Sequence, residues 1–370
     1  MTACDACLRR AGLLAALSGH LEVAWRRRRD GLRDVLALDD NGLAQGLAHV
    51  PADEIRAAHP ALAPEALRER VAATATRVVC RCDEAYPERL RDLRDAPAAL
   101  FCAGDPRMLR THLGTDDDGE RLPAVAIVGT RRASPEGASV ARGLGRGLAA
   151  AGVTVVSGMA MGVDAAAHRG AVDTGGPTVA VLACGPDVAY PASEAVLHRQ
   201  LRDNALIVAE LPPGTTPRRW AFPARNRIIA ALAQLTIVVE GAARSGSLIT
   251  AEFAAGLGRE VAAVPGRAGS PYTRGSNGLL KEGAAVVLDA EDALDLVLGT
   301  DRIRHTPGCP PADLAPRLRA LLVDVRRGHV SVPALAAAGH DVDDALVGLT
   351  ELELLGLVRR APGGVVVPVT

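Results

Sequence analysis

Aromatic residues are scarce in this chain, which has two Trp, three Tyr and three Phe among 370 residues. Rings at that frequency cannot build a core, so Ala, Val and Leu must fill it, and an exposed aromatic would stand out. A surplus of one charge is missing too. Lys and Arg (42) nearly balance Asp and Glu (43), for a net charge of −1. That balance excludes nucleic-acid binding through bulk charge and leaves only local clusters of basic groups to do it. Lysine is reduced to Lys281 alone, a bias that reflects GC-rich coding more simply than phosphate recognition. No stretch of about 18 or more apolar residues is free of charge, so no membrane-spanning helix is expected. Residues 1–10 hold no apolar signal segment, and seven Cys is an odd number, which points to a reduced, cytoplasmic compartment.

Several chemical signatures are also absent. The chain has no Walker loop, no G-x-G-x-x-G fingerprint, no clustered metal ligands, no nucleophile–base pair and no internal repeat. Cys4 and Cys7 form a Cys-x-x-Cys pair, but a metal needs two more ligands, and only His20 and cysteines distant in sequence remain. The pair therefore reads as structural or incidental thiols, and neither metal nor cofactor is expected.

What is present divides the chain into parts. Residues 1–75 read as a helical module in which Leu8, Leu13, Leu14, Leu17 and Leu21 recur at helical spacing, followed by a run of arginines at 26–29 that suits a solvated helix face. Across 76–300, short apolar runs at 125–128, 153–156, 178–182, 205–209, 236–239 and 261–264 alternate with amphipathic segments. Fully apolar strands alternating with helices imply an α/β fold, a parallel sheet covered on both faces. An acidic surface loop at 116–120 precedes the first of these strands. A linker rich in Pro and Gly at 301–312 leads to 313–370, where helices at 314–325, 332–338 and 343–355 precede a hairpin at 357–360 and 365–367 around Pro362-Gly363-Gly364. Three helices and a hairpin outline a winged helix.

Five segments carry chemistry. In Gly129-Thr130-Arg131-Arg132-Ala133-Ser134-Pro135 a buried strand ends at a Gly, Ser134 can cap the next helix and Pro135 fits its first turn. Such a helix start attracts phosphate, with Arg131 as a cationic fork, but the segment reads equally as a tight turn. Ser157-Gly158-Met159-Ala160-Met161-Gly162-Val163-Asp164 repeats the arrangement after the next strand, which would place two anion-accepting loops on one rim; His168, in the helix that follows, reads as a packed residue. The segment from Pro217 to Ala230 concentrates Arg218, Arg219, Trp220, Phe222, Arg225, Asn226 and Arg227 in a neutral, aromatic-poor chain. That is the composition of a single-strand groove, in which guanidinium groups follow phosphates and a ring stacks a base. The alternative is that the rings fill the core and the arginines pair with acids. Arg244-Ser245-Gly246-Ser247-Leu248-Ile249-Thr250 offers hydroxyls and N–H groups to phosphate or sugar, and Arg274-Gly275-Ser276-Asn277 adds a polar loop beyond a strand end.

In this order the Gly129-Thr130-Arg131 turn, Ser157-Gly158-x-Ala160-x-Gly162-x-Asp164, Tyr190-Pro191, Phe222-Pro223-x-Arg225-Asn226-Arg227, Ser245-Gly246-Ser247 with Thr250, and Val264-Pro265-Gly266 resemble the DprA/Smf (DNA processing protein A) family over residues 80–298. The resemblance implies an extended Rossmann-like domain that grips single-stranded DNA, flanked by an N-terminal helical (SAM-like) module and a C-terminal winged helix. It also implies a homodimer, no catalysis, and a partnership with the RecA recombinase in natural transformation. Residues carried over as DNA-binding are Gly129, Thr130, Arg131, Ser157, Gly158, Arg218, Arg219, Phe222, Arg225, Asn226, Arg227, Ser245, Gly246, Ser247, Thr250 and Asn277. The family's Gly-Ser-Arg is here Gly129-Thr130-Arg131, its Gly-Ile-Asp is Gly162-Val163-Asp164, and Ala231 and Ala233 replace its Gly and Ser. An enzyme of the lysine-decarboxylase-like type would need a P-G-G-x-G-T-x-x-E loop, which is missing. A duplex-binding role for the last segment is opposed by the acids Asp341, Asp343, Asp344, Glu351 and Glu353.

Overall fold

The computed structural model describes residues 3–27, 31–116, 119–299, 314–326, 329–354, 357–361 and 365–368. Arg28 and Arg29, Asp117 and Asp118, the 301–312 linker and the Pro362-Gly363-Gly364 turn lie outside them. The chain divides into two compact units, Met1–Gly299 and Thr300–Thr370.

The first unit opens with α1 (Asp5–Ala16), α2 (Ser18–Arg27), α3 (Leu32–Leu36), α4 (Asp40–Ala48), α5 (Ala52–Ala58) and α6 (Pro64–Ala73). Its strands are β1 (Arg77–Cys80), β2 (Ala99–Gly104), β3 (Ala124–Val128), β4 (Thr154–Ser157), β5 (Thr178–Leu182), β6 (Leu206–Ala209), β7 (Leu235–Val238), β8 (Glu260–Ala263) and β9 (Ala285–Val286). Between them run α7 (Glu88–Arg91), α8 (Met108–Leu113), α9 (Pro135–Ala150), α10 (Val163–Asp173), α11 (Ala195–Asn204), α12 (Ala221–Leu232), α13 (Gly246–Gly256) and α14 (Arg274–Lys281), with α15 (Ala290–Leu298) closing the unit.

The strands form one sheet in the order β1-β2-β6-β5-β4-β3-β7-β8-β9. From β6 to β9 every pairing is parallel, while β1 and β2 join antiparallel at the β6 edge. The expected apolar runs match β3 to β8 within about a residue; β1, β2 and β9 have no counterpart in that reading. Alternation along each strand feeds two cores. Ala124, Ala126 and Val128 face the side covered by α12 and α13, and Val125 and Ile127 face the side covered by α9, α10 and α15. A strand buried on both faces cannot show a polar/apolar period, which is why these strands read as unbroken apolar runs.

The N-terminal helices do not stand apart from the sheet domain. Leu13, Leu14, Leu17 and Leu21 pack in one core with Leu211, Trp220 and Ala224, and Leu8 packs with Val78, Cys80 and Phe101 of β1 and β2. The boundary at residue 75 thus separates segments of sequence that fold as one body. The second unit holds α16 (Pro316–Arg326), α17 (Val332–Ala337), α18 (Val342–Leu354) and an antiparallel hairpin of β10 (Val358–Ala361) and β11 (Val365–Pro368) around a core of Leu318, Leu322, Leu335 and Leu349.

Candidate nucleic-acid interface

The order of the strands determines where a ligand can enter. From β3 the chain winds outward through β4, β5 and β6, then returns through α12 to β7 on the other side of β3. The loops after β3 and β7 therefore lead to helices on opposite faces, and the crevice between them is the switch point at which open α/β sheets take ligands.

The first helix start there is already filled. Glu240, just beyond β7, puts its carboxylate at the start of α9: Oε2 accepts from Ser134 N (2.9 Å) and Oε1 from Ser134 Oγ (2.6 Å). A Cβ on Gly137 would overlap this carboxylate, so the glycine makes room for it. Ser134 caps α9 as expected, accepting from Gly137 N. The anion held by the α9 start is thus the chain's own, which favours the tight-turn alternative over a phosphate at this helix start. Thr130 serves the turn, its N–H donating to Glu240 O (2.7 Å) and its Oγ1 accepting from Arg132 N (3.2 Å).

The second turn is filled in the same way. Asp164 is buried and accepts from Ala160 N at 3.4 Å, closing a loop that Gly162 turns at φ 80°. Burial raises the Asp164 carboxyl above its ordinary value, against the pull of nearby Arg225. Ser157 is buried and donates to Ile127 O (2.6 Å), bracing β4 against β3 rather than meeting a ligand. Gly158 lies over Arg225, whose guanidinium a Cβ there would overlap. Behind the turn, His168 is fully buried against Thr178 Oγ1 (2.8 Å), and burial pulls its pKa down to about 3.

The start of α12 is likewise closed, since Glu22 of α2 accepts from Trp220 N (3.1 Å). The start of α13 differs. Its N-cap Ser245 accepts from Ser247 N, the two hydroxyls lie 2.8 Å apart, and among the described residues no carboxylate accepts from this turn.

The basic segment splits along its length. Arg218 and Arg219 are exposed, and neither forms an ion pair with a described residue. Trp220 is 1% exposed and donates from Nε1 to Ser18 Oγ (2.9 Å). It is a core residue, as the bland alternative held. Phe222 is only half-buried, with the Arg131 guanidinium 4.7 Å from its ring centre and the Tyr190 ring at 5.9 Å. Arg225 is buried, donates to Val181 O (3.0 Å) and has its pKa lowered by burial. Arg227 corrects the sequence reading outright. It is 1% exposed, donates from Nε to Asp95 Oδ2 (2.9 Å) and binds Glu210 through both terminal nitrogens (3.0 and 2.8 Å). No donor is left for a phosphate.

What remains converges. Gly129, Arg131, Phe222, Arg225, Asn226, Ser245, Gly246, Ser247 and Thr250 line one pocket of about 180 Å³, with Asp164 in its wall. On the other side of Phe222 a small recess of about 40 Å³ is lined by Gly158, Tyr190, Arg131 and Arg225. Asn226 donates to Gly246 O (3.1 Å), tying α12 to the open α13 start. A larger cleft of about 800 Å³ lies farther along the rim, but Glu136 and Glu240 line it together with Arg267, so it suits a phosphate chain less well. Asn277 stays out of the pocket, bonding Gly266 reciprocally at 3.0 Å through both side-chain atoms.

The profile of the DNA recombination-mediator protein A family matches residues 77–298. The chain belongs to this family. Among relatives, it is 30% identical to Protein Smf of Synechocystis, over 95% of this chain and 93% of that one. It is 39% identical to the putative DNA processing protein DprA of Mycobacterium tuberculosis, over 72% of this chain and 66% of that one. Among solved structures, DNA processing protein A of Streptococcus pneumoniae superposes with a TM-score of 0.59 at 29% identity, covering 80% of this chain and 99% of that one. DNA processing protein A of Helicobacter pylori, solved for its single-stranded DNA binding mode, gives 0.53 at 29% identity, over 60% of this chain and 95% of that one. The sheet is thus that of the DNA recombination-mediator family.

Tyr190, Arg132 and Arg244 are the rim residues that motif reading left out of the site. All three are exposed. The signal was present for Tyr190, one of the few rings in the chain and already part of the Tyr190-Pro191 motif. Glu240 and Asp164, which close two turns, could not be assigned that role without the fold.

Proposed function

We propose that this chain binds single-stranded DNA along the rim at the carboxyl ends of β3, β4 and β7, protects it, and helps load RecA onto it during natural transformation and recombination, without catalytic turnover. The observation that carries the reading is the pocket in which Arg131, Phe222 and the open α13 start converge at the sheet's switch point. Guanidinium and ring form a stacked pair, and both have faces that bases stack on. Arg218 and Arg219 add exposed cations beside it, and the α13 start offers N–H and hydroxyl groups to a phosphate. The absence of turnover is supported by the rim's acids, since Glu240 is held by Ser134 and Asp164 is buried. The homodimer belongs to the same proposal, favoured by the exposed Val286 and Leu288 beside the open β9 edge. So do a cytoplasmic setting and a winged-helix role for the second unit, whose acidic α18 suits protein contact better than duplex DNA.

The test is a fluorescence-anisotropy titration of labelled single-stranded and duplex oligonucleotides over a range of salt. Affinity for the single strand is expected to fall with log salt at a slope of about −0.7 per neutralised phosphate, with duplex bound more weakly. Equal affinity for duplex, or binding indifferent to salt, rules the reading out.

A further inference from the structure

At the β1 edge of the sheet, two stretches far apart in sequence bring four cysteines together. Cys4 and Cys7 lie at the start of α1, Cys80 is the last residue of β1, and Cys82 follows in the turn. Their Sγ atoms all lie within 4.8 Å of one another, with Cys82 Sγ 3.8 Å from Cys4 Sγ and 4.0 Å from Cys7 Sγ. A single zinc ion bonded at about 2.3 Å to four thiolates holds them about 3.8 Å apart, along the edges of a tetrahedron. All four thiols are free. These are the two ligands that Cys4 and Cys7 lack when the chain is read in one dimension.

We propose that Cys4, Cys7, Cys80 and Cys82 form a structural four-thiolate zinc site that clamps the helical module to the edge of the sheet. The surroundings fit thiolates. Cys4 is the N-cap of α1, and its side chain makes no capping bond, so its sulfur is available where the helix start favours negative charge. The Cys4 N–H points to Cys80 Sγ at 3.5 Å. Arg68 donates to Ala3 O (3.1 Å) but shares its charge with Asp5, and the exposed Arg81 between Cys80 and Cys82 adds positive charge beside a doubly negative zinc–thiolate centre. A closed set of four sulfurs leaves no open position for substrate, which makes the site structural. A cluster of several irons would hold its cysteines on separate metals, whereas sulfurs this close share one ion. The clamp closes the long loop from Cys7 to Cys80, where a cross-link restricts the unfolded chain strongly.

The test uses the full chain purified under reducing conditions. Metal analysis is expected to find about 1 zinc per chain, and cobalt added after chelation is expected to give sulfur-to-cobalt charge-transfer and tetrahedral ligand-field bands that saturate near about 1 equivalent and vanish on adding zinc. Cys82→Ser changes the exposed ligand, the one least needed for packing. It is expected to stay folded by circular dichroism and to bind zinc at least about tenfold more weakly. Zinc should raise the melting temperature of the stripped wild type, and that of Cys82→Ser much less. Reduced wild-type protein that retains no zinc and gives no cobalt bands overturns the proposal, as does an equivalent of iron in zinc's place, or undiminished zinc affinity in Cys82→Ser.

Discussion

β3 and β7 pair side by side and both lead into a helix, yet the two helix starts have opposite fates. The α9 start behind β3 holds Glu240, a carboxylate from the neighbouring strand's end, whereas the α13 start behind β7 is closed only by serines. The same division runs through the basic segment, where Arg218 and Arg219 reach solvent and Arg227 reaches two buried acids. A helix start or an arginine is therefore a potential anion site only until the fold supplies an internal anion. Whether it does depends on partners that can lie more than a hundred residues away.

The strongest way to break the comparison is Arg227→Ala. If Arg227 is internal, removing it strands Glu210 without a cation, leaves Asp95 with Arg33 alone, and costs about 3 kcal/mol of folding stability, read by urea denaturation. Single-strand affinity per folded molecule should be unchanged. A stable variant with lost affinity would return Arg227 to the interface.

Phe222→Ala probes the open side and should weaken single-strand binding by about 1 to 3 kcal/mol for the base it stacks, with the salt slope kept because stacking releases no counterions. Arg131→Ala should instead make that slope shallower by about 0.7. Because the guanidinium rests on the ring, the double variant should depart from additivity by about 0.5 kcal/mol or more. Additive losses would mean that the two side chains act on separate parts of the strand.

His168 tests the buried side of the β4 turn through pH. Its folded pKa of about 3 lies below the ordinary 6.5, so in this window the unfolded chain takes up a proton that the native state refuses. The stability is complete above 6.5 and is lost as pH falls toward about 3, at about 1.4 kcal/mol per pH unit. His112 and His198 are lowered by burial too, so the readout is the difference between wild type and His168→Gln. That difference should shrink as the wild type loses stability, and parallel curves would show that His168 is not buried as a neutral ring.

The smallest effect is expected from Glu240→Gln, which keeps the shape at the α9 start but removes its charge. Single-strand affinity should rise by about 0.3 to 1 kcal/mol, the worth of a charge at a helix terminus. Unchanged affinity would place the bound strand away from this turn.

Much of the molecule was legible in one dimension. The parallel sheet followed from apolar runs too continuous to be half-exposed strands, and β3 to β8 fall where those runs lie. The pocket's lining was legible in part, because Arg131 and Ser245 sit in turns after β3 and β7, Ser247 and Thr250 follow in the first turns of α13, and every strand end of a parallel sheet points to the same rim. Phe222 and Asn226, on α12, stood out by composition instead. These are properties of local period, chain direction and composition, which sequence encodes directly. Tertiary structure alone decided the rest: that Trp220 leaves the groove for a core shared with α1 and α2, that Arg227 and Asn277 turn inward, that Glu240 and Asp164 fill two turns, and that Cys80 and Cys82 reach Cys4 and Cys7. In each of these cases a side chain's role is set by the charge or space offered by a residue distant in sequence, and composition names the groups without saying which of them meet.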